Sequence, residues 1–240
     1  MSDKIALITG ANKGIGLETA RQLAQKGYMV LIGARDQERG EKAVQALCDE
    51  GLQARFVLLD LNDKATIDAA AQSVEAQFSH LDVLVNNAGV FQDDSAPSEV
   101  SEKVLRDTYA TNVFAPVFVT QAFLPLLKKS QAGRVVNVSS TLGSLGDQSD
   151  TSSDFYGANV LAYNSSKSAL NMITVSFAKE LRDTPIKVNA VCPGYVATDA
   201  NNHQGPRTVQ QGATASVRYA TLPDDGPSGG FFDEDGPVAW

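Results

Sequence analysis

The sequence predicts a doubly wound α/β domain: a parallel sheet of about seven strands with helices on both faces, formed by residues 1–240 as one domain. Three observations carry this. Short apolar runs alternate along the chain with segments of helical spacing. The runs "ALI", "VLI" and "VLV" are apolar at every position, which marks strands covered on both faces. A glycine-punctuated stretch, "TGANKGIG", follows the first run directly, where open α/β sheets place a ligand-binding turn.

The elements follow in order. "KIALIT" is the first strand and ends near Thr9; a helix runs from near Ile15 to a stop at Gly27. "YMVLIGA" precedes a helix from about Gln37 to Glu50, and "ARFVLLD" one from about Lys64 to Phe78. "LDVLVNN", "GRVVNVSS" and "IKVNAVC" are further strands, with helical stretches around Leu105–Lys128 and Leu161–Leu181 between them. Gly143 to Gly157 is rich in Ser, Gly and Asp and reads as a loop. A last edge strand is expected around Gly230–Phe232. There is no internal repeat and no linker.

Composition narrows the function. The 240 residues are 43% hydrophobic and carry a formal charge of −8. An acidic chain repels phosphate backbones, so nucleic acid is not an expected partner. Cys48 and Cys192 lack metal-ligand spacing, and His80 and His203 are the only histidines. No metal site and no Ser-His-Asp triad is expected. No apolar run approaches a membrane span, and "MSDKIALITG" lacks the basic region and long apolar core of a signal peptide. A cytoplasmic protein without a membrane partner is the expectation.

Gly10, Gly14 and Gly16 have a physical use. Glycine accepts positive φ and lets a ligand approach the backbone. The helix that follows offers unpaired N–H groups and a partial positive charge, which suit a pyrophosphate. The alternative is a tight turn without a ligand. The spacing is GxxxGxG rather than the general GxGxxG.

"TGANKGIG" at 9–16, "NNAG" at 86–89, "NVSS" at 137–140, "YNSSK" at 163–167 and "PGYVATD" at 193–199 stand in this order. Together they resemble the short-chain dehydrogenase/reductase family, and "GANKGIG" with "GGFFDEDGPVAW" resembles its carbonyl-reductase-like members. The resemblance covers nearly the whole chain. It implies a Rossmann-type fold, hydride transfer with a nicotinamide dinucleotide, and a small-molecule carbonyl or alcohol substrate.

Of six tyrosines, only Tyr163 has a lysine four residues on, Lys167. On a helix that spacing puts both on one face, where the cation would lower the phenol pKa and reach a ribose. A chance pairing on a solvated face is the alternative. Ser139 and Ser140 end a strand, so they point to opposite faces. The resemblance assigns Ser140 to the substrate oxygen, with Ser139 as the alternative. Pro116 stands four residues after Asn112 and cannot bond its carbonyl. A kinked helix is expected, with the free carbonyl linked through water to Lys167 and Tyr163 as a proton relay. The resemblance favours that relay; the alternative is an Asn that only stabilises the kink.

NADPH (NADP) is expected over NADH. Arg35 follows the end of the second strand, where an acid would hold a ribose 2′-OH and an arginine a 2′-phosphate. Lys13 adds a second cation. Asp36 would reverse this if the strand ran two residues longer, and both cations could be plain surface charges. By resemblance, Asn12 and Ile15 belong with the glycine turn, Asp60 and Leu61 contact adenine, and Asn87 and Gly89 lie near its ribose, while Asn86 could merely brace the sheet. Pro193, Val196 and Thr198 contact the nicotinamide by the same token. Ser140 and Tyr163 are 23 residues apart, more than in many relatives. Phe155 and Tyr156 in that insertion either line the pocket or pack on the surface. The segment Ala200–Arg218 is short and suggests an open cleft. Monomer or homo-oligomer stays undecided. A non-catalytic NADP(H) sensor of the same fold is the functional alternative.

Overall fold

In the computed structural model, residues 4–93 and 95–240 are described. One seven-stranded sheet runs through the molecule in the order β3-β2-β1-β4-β5-β6-β7, every pairing parallel. Its strands are β1 (Ile5–Thr9), β2 (Met29–Ala34), β3 (Ala54–Leu58), β4 (Val83–Asn86), β5 (Arg134–Val138), β6 (Lys187–Val191) and β7 (Phe231–Phe232). The order reverses between β1 and β4, which opens a crevice at their carboxyl ends.

β1, β2, β4 and β5 are buried at every position. Alternate residues serve opposite faces. Ala6, Ile8, Val30, Ile32, Val83 and Val85 belong to one core cluster, and Ile5, Leu7, Leu31, Leu84 and Val135 to the other. Each fully buried Leu or Ile contributes roughly 1.5–3 kcal/mol, so a double-faced strand holds both helix layers. The helices are α1 (Gly14–Gln25), α2 (Gln37–Asp49), α3 (Lys64–Phe78), α4 (Glu102–Tyr109), α5 (Ala115–Leu127), α6 (Leu145–Ser149), α7 (Leu161–Glu180) and α8 (Val209–Ala220).

Three expectations are amended. The single helix around Leu105–Lys128 is instead α4 and α5 joined by a π-helical turn, Ala110–Phe114, directly ahead of Pro116. A proline cannot complete the regular ladder there, and the wider turn absorbs the gap. The Gly143–Gly157 loop contains the five-residue α6, whose N-cap Ser144 accepts from Asp147 N. The combined run Glu102–Leu127 has the length of a membrane span, and its most apolar 18 residues reach a mean hydropathy of 1.5. Half of its most apolar window is buried in the molecule, and Val119, Phe123, Leu126 and Leu127 fill the core, so packing accounts for its composition.

Candidate active site

The parallel topology gathers the segments that follow β1, β4, β5 and β6 at one edge of the sheet. The turn after β1 holds Gly10 at φ 64° and Gly14 at φ 59°, a region side chains disfavour. A Cβ on Gly10 would lie 2.9 Å from Ala88 Cβ; one on Gly16 would lie 2.4 Å from Asn87 Nδ2. The turn is therefore packed directly against "NNAG". Asn87 seals it, donating from Nδ2 to Thr9 O at 2.9 Å. Asn86 points elsewhere, donating to Thr120 Oγ1 and Asn137 Oδ1, and braces the sheet.

The N-terminus of α1 is built differently from its neighbours. Side chains of Asp36, Asp63, Ser101 and Thr208 cap α2, α3, α4 and α8. Lys13 stands at the N-cap of α1 and supplies no side-chain cap, and the first turn carries no acid. The N–H groups of Gly14, Ile15 and Gly16 thus suit an external anion. Together with the two glycine contacts, this cradle fits a dinucleotide pyrophosphate. Asn12 is half-buried within it.

β2 ends at Ala34 and does not extend to Asp36. The Asp36 carboxylate is spent on α2, accepting from Arg39 N at 3.0 Å. Arg35 is exposed at the strand end and makes no ion pair among the described residues. Lys13 is less free than expected: its Nζ pairs with Asp199 Oδ2 at 2.7 Å, joining the glycine turn to the segment after β6. That pair holds the exposed Asp199 carboxyl below its ordinary range. Asp60 is half-buried, with Oδ1 accepting from Asn62 N, and Leu61 packs on the lower core cluster. Val196 is buried, Pro193 is half-buried, and Thr198 faces Gly14, whose Cβ would lie 3.9 Å from Thr198 Cγ2.

The candidate reactive groups meet between β5 and α7. Ser139 is buried and donates to Asn171 Oδ1 at 2.6 Å, so its hydroxyl is structural. Ser140 instead lies close enough to the Tyr163 phenol to act on it, and accepts from Leu142 N at 3.2 Å. Strand alternation separates the two roles. Lys167 is buried beside Tyr163, its Nζ 5.6 Å from the ring centroid, and donates to Val138 O at 2.8 Å.

Burial acts against the expected effect of the cation. Tyr163 is pushed up to about 12, chiefly by burial; Ser140 pulls the other way. Burial also brings Lys167 down to about 8. The ammonium lies over the ring and is held by a strand carbonyl, so in this arrangement desolvation, not the cation, sets the phenol.

Asn112 is 1% exposed and its side chain is fully used. Oδ1 accepts from Val90 N at 2.8 Å; Nδ2 donates to Val90 O and to Ser166 Oγ. Ser166 in turn donates to Tyr163 O at 2.7 Å. A Cβ on Gly89 would lie 3.3 Å from Asn112 Oδ1 and 3.5 Å from Lys167 Nζ. Glycine therefore keeps the floor of the site open between them.

Two neighbours of Tyr163 were not foreseen. The Phe91 ring meets it edge-on at 4.9 Å. Asp93 accepts from Ala162 N at 2.6 Å. The hint was in the helix start, where Val160 has no capping side chain of its own. Farther out, Phe155 borders a cavity shared with Thr141, Cys192 and Arg207, and Tyr156 does not. α8 is a core helix whose Ala213, Ala215 and Ala220 are buried. Among the described residues no His, Cys, Asp or Glu cluster could hold a metal.

A family model described as short chain dehydrogenase matches residues 4–208. The (-)-isopiperitenone reductase of Mentha piperita is 34% identical, with 98% of each chain covered. The carbonyl reductase 3 (NADPH) of Mus musculus is 36% identical over 92% of each. The crystal structure of an NADPH-bound carbonyl reductase from chicken fatty liver superposes with a TM-score of 0.86 at 31% identity, covering 99% of both chains.

Proposed function

We propose that this chain, which belongs to the short-chain dehydrogenase/reductase family, reduces aldehydes and ketones to alcohols with NADPH, reversibly. The observation that carries this is that Tyr163 and Lys167 stand side by side on α7, with Lys167 Nζ 5.6 Å from the phenol ring and Ser140 next to it. Two hydroxyls converging on one carbonyl oxygen polarise it, and Tyr163 is placed to protonate it. When bound, the nicotinamide supplies the hydride.

Gly10, Asn12, Gly14, Ile15 and Gly16 would hold the pyrophosphate. Arg35 and Lys13 would take the 2′-phosphate, which requires Lys13 to share or leave its exposed partner Asp199. Asp60 and Leu61 would flank the adenine, Asn87 and Gly89 its ribose, and Pro193, Val196 and Thr198 the nicotinamide. Lys167 would reach the second ribose. We assign proton resupply to a water chain from Lys167 to the Asn112 carbonyl, which Pro116 leaves without its regular partner. Pro116→Ala, which returns a backbone N–H to that carbonyl, is expected to cut kcat at least tenfold; unchanged turnover would remove that leg.

The direct test mixes purified protein with NADPH and a panel of aldehydes, ketones and diketones and follows NADPH absorbance. Consumption that depends on the carbonyl supports a reductase. Protection from heat by NADPH with no turnover of any compound would make the protein a cofactor sensor instead.

A further inference from the structure

We propose that Asp93 is a positioning residue that sets the catalytic helix in register by capping it from another loop. α7 carries Tyr163 at its third residue and Lys167 one turn later. The first N–H groups of any helix need partners from outside it. Val160, at the N-cap, has no polar side chain to offer. Asp93, 69 residues earlier in the chain, fills the gap: its Oδ2 accepts from Ala162 N at 2.6 Å. A carboxylate also suits the positive end of the helix.

Asp93 is only 3% exposed, and its second oxygen, Oδ1, is buried with no hydrogen-bond partner among the described residues. Burying a half-satisfied carboxylate is costly. That cost has a return in geometry, because the bonded amide is adjacent to Tyr163. The same short segment touches the catalytic helix at two points and reaches it at a third through Asn112. Val90 is bracketed by Asn112, which reaches Ser166; Phe91 lies against the Tyr163 ring; Asp93 bonds Ala162. Asn112 and Asp93 thus fix the two ends of a loop that presses Phe91 onto the phenol. The first contact belongs to the expected site, and the Asp93 contact extends it.

The catalytic consequence rests on the reductase reading above; the register claim does not. The experiment has two arms. In the first, hydrogen exchange by mass spectrometry is followed across wild type, Asp93→Leu and Asp93→Asn, the last keeping an accepting oxygen. Faster exchange confined to the first turn of α7 is expected in Asp93→Leu, with Asp93→Asn close to wild type. Equal protection in all three overturns the proposal, whether or not the protein reduces anything. In the second arm, on any carbonyl wild type accepts, Asp93→Leu is expected to lower kcat at least tenfold while the KM for NADPH changes less than threefold. Asp93→Asn should restore kcat to within threefold. A kcat unchanged in Asp93→Leu, or lost equally in Asp93→Asn, refutes the capping role. Should wild type reduce no carbonyl, the reductase reading fails and the exchange arm alone decides.

Discussion

Tyr163→Phe is expected to lower kcat about 10²–10⁴-fold for every carbonyl that wild type reduces. The change removes one oxygen and little else. The ring keeps its edge contact with Phe91, so the loop and helix stay packed. What disappears is the hydroxyl beside Ser140, and with it the proposed proton for the product oxygen. NADPH affinity, measured by fluorescence, should change far less than kcat. Retained turnover would require another acid; Lys167 beside the ring is the candidate, and its Nζ is turned to Val138 O. The pH dependence of wild type follows from the same atom. Burial pushes the phenol up to about 12, so below that pH the oxygen keeps its proton, which reduction needs. The reverse reaction needs the bare oxygen. Alcohol oxidation should therefore climb as pH rises from neutral to about 10. A flat oxidation rate over that range would show a phenol already ionised.

Arg35→Asp is expected to raise the KM for NADPH about 10–100-fold and to narrow or reverse the preference over NADH. A hydrogen bond to a charged group contributes about 1.5–3 kcal/mol, and each 1.4 kcal/mol is about tenfold. Aspartate adds repulsion toward a 2′-phosphate and can accept from a 2′-OH. The side chain is exposed and unpaired among the described residues, so stability should hardly move. The two cofactors are compared by kcat/KM in the same assay. An unchanged preference for NADPH would transfer the selectivity to Lys13.

Most of the scaffold was legible in the sequence because parallel strands are apolar on both faces and helices are not. "ALI" and "VLI" could not sit in a half-exposed sheet. Glycine spacing marked the cradle, because only glycine tolerates Ala88 and Asn87 at those distances. YxxxK placed a phenol and an amine together because a helical repeat does so anywhere. Choices with two local answers were not legible. Ser139 and Ser140 look alike in sequence, and strand direction parted them. Asp36 could have extended β2 or capped α2, and it caps. The phenol pKa could not be read from its lysine, since desolvation depends on everything packed around it.

By itself, then, the sequence determined the layered fold and singled out the glycine-punctuated crossover and the side chains proposed to react. These follow from short-range periodicity and from residue chemistry, which neighbours along the chain already contain. Only the tertiary structure decided which serine turns inward, how far burial raises Tyr163, that Lys13 meets Asp199, and that Asp93 holds the start of the helix bearing the phenol. Each of those is a contact between segments far apart in the chain. Such contacts exist only once the sheet has brought the strand ends to one edge.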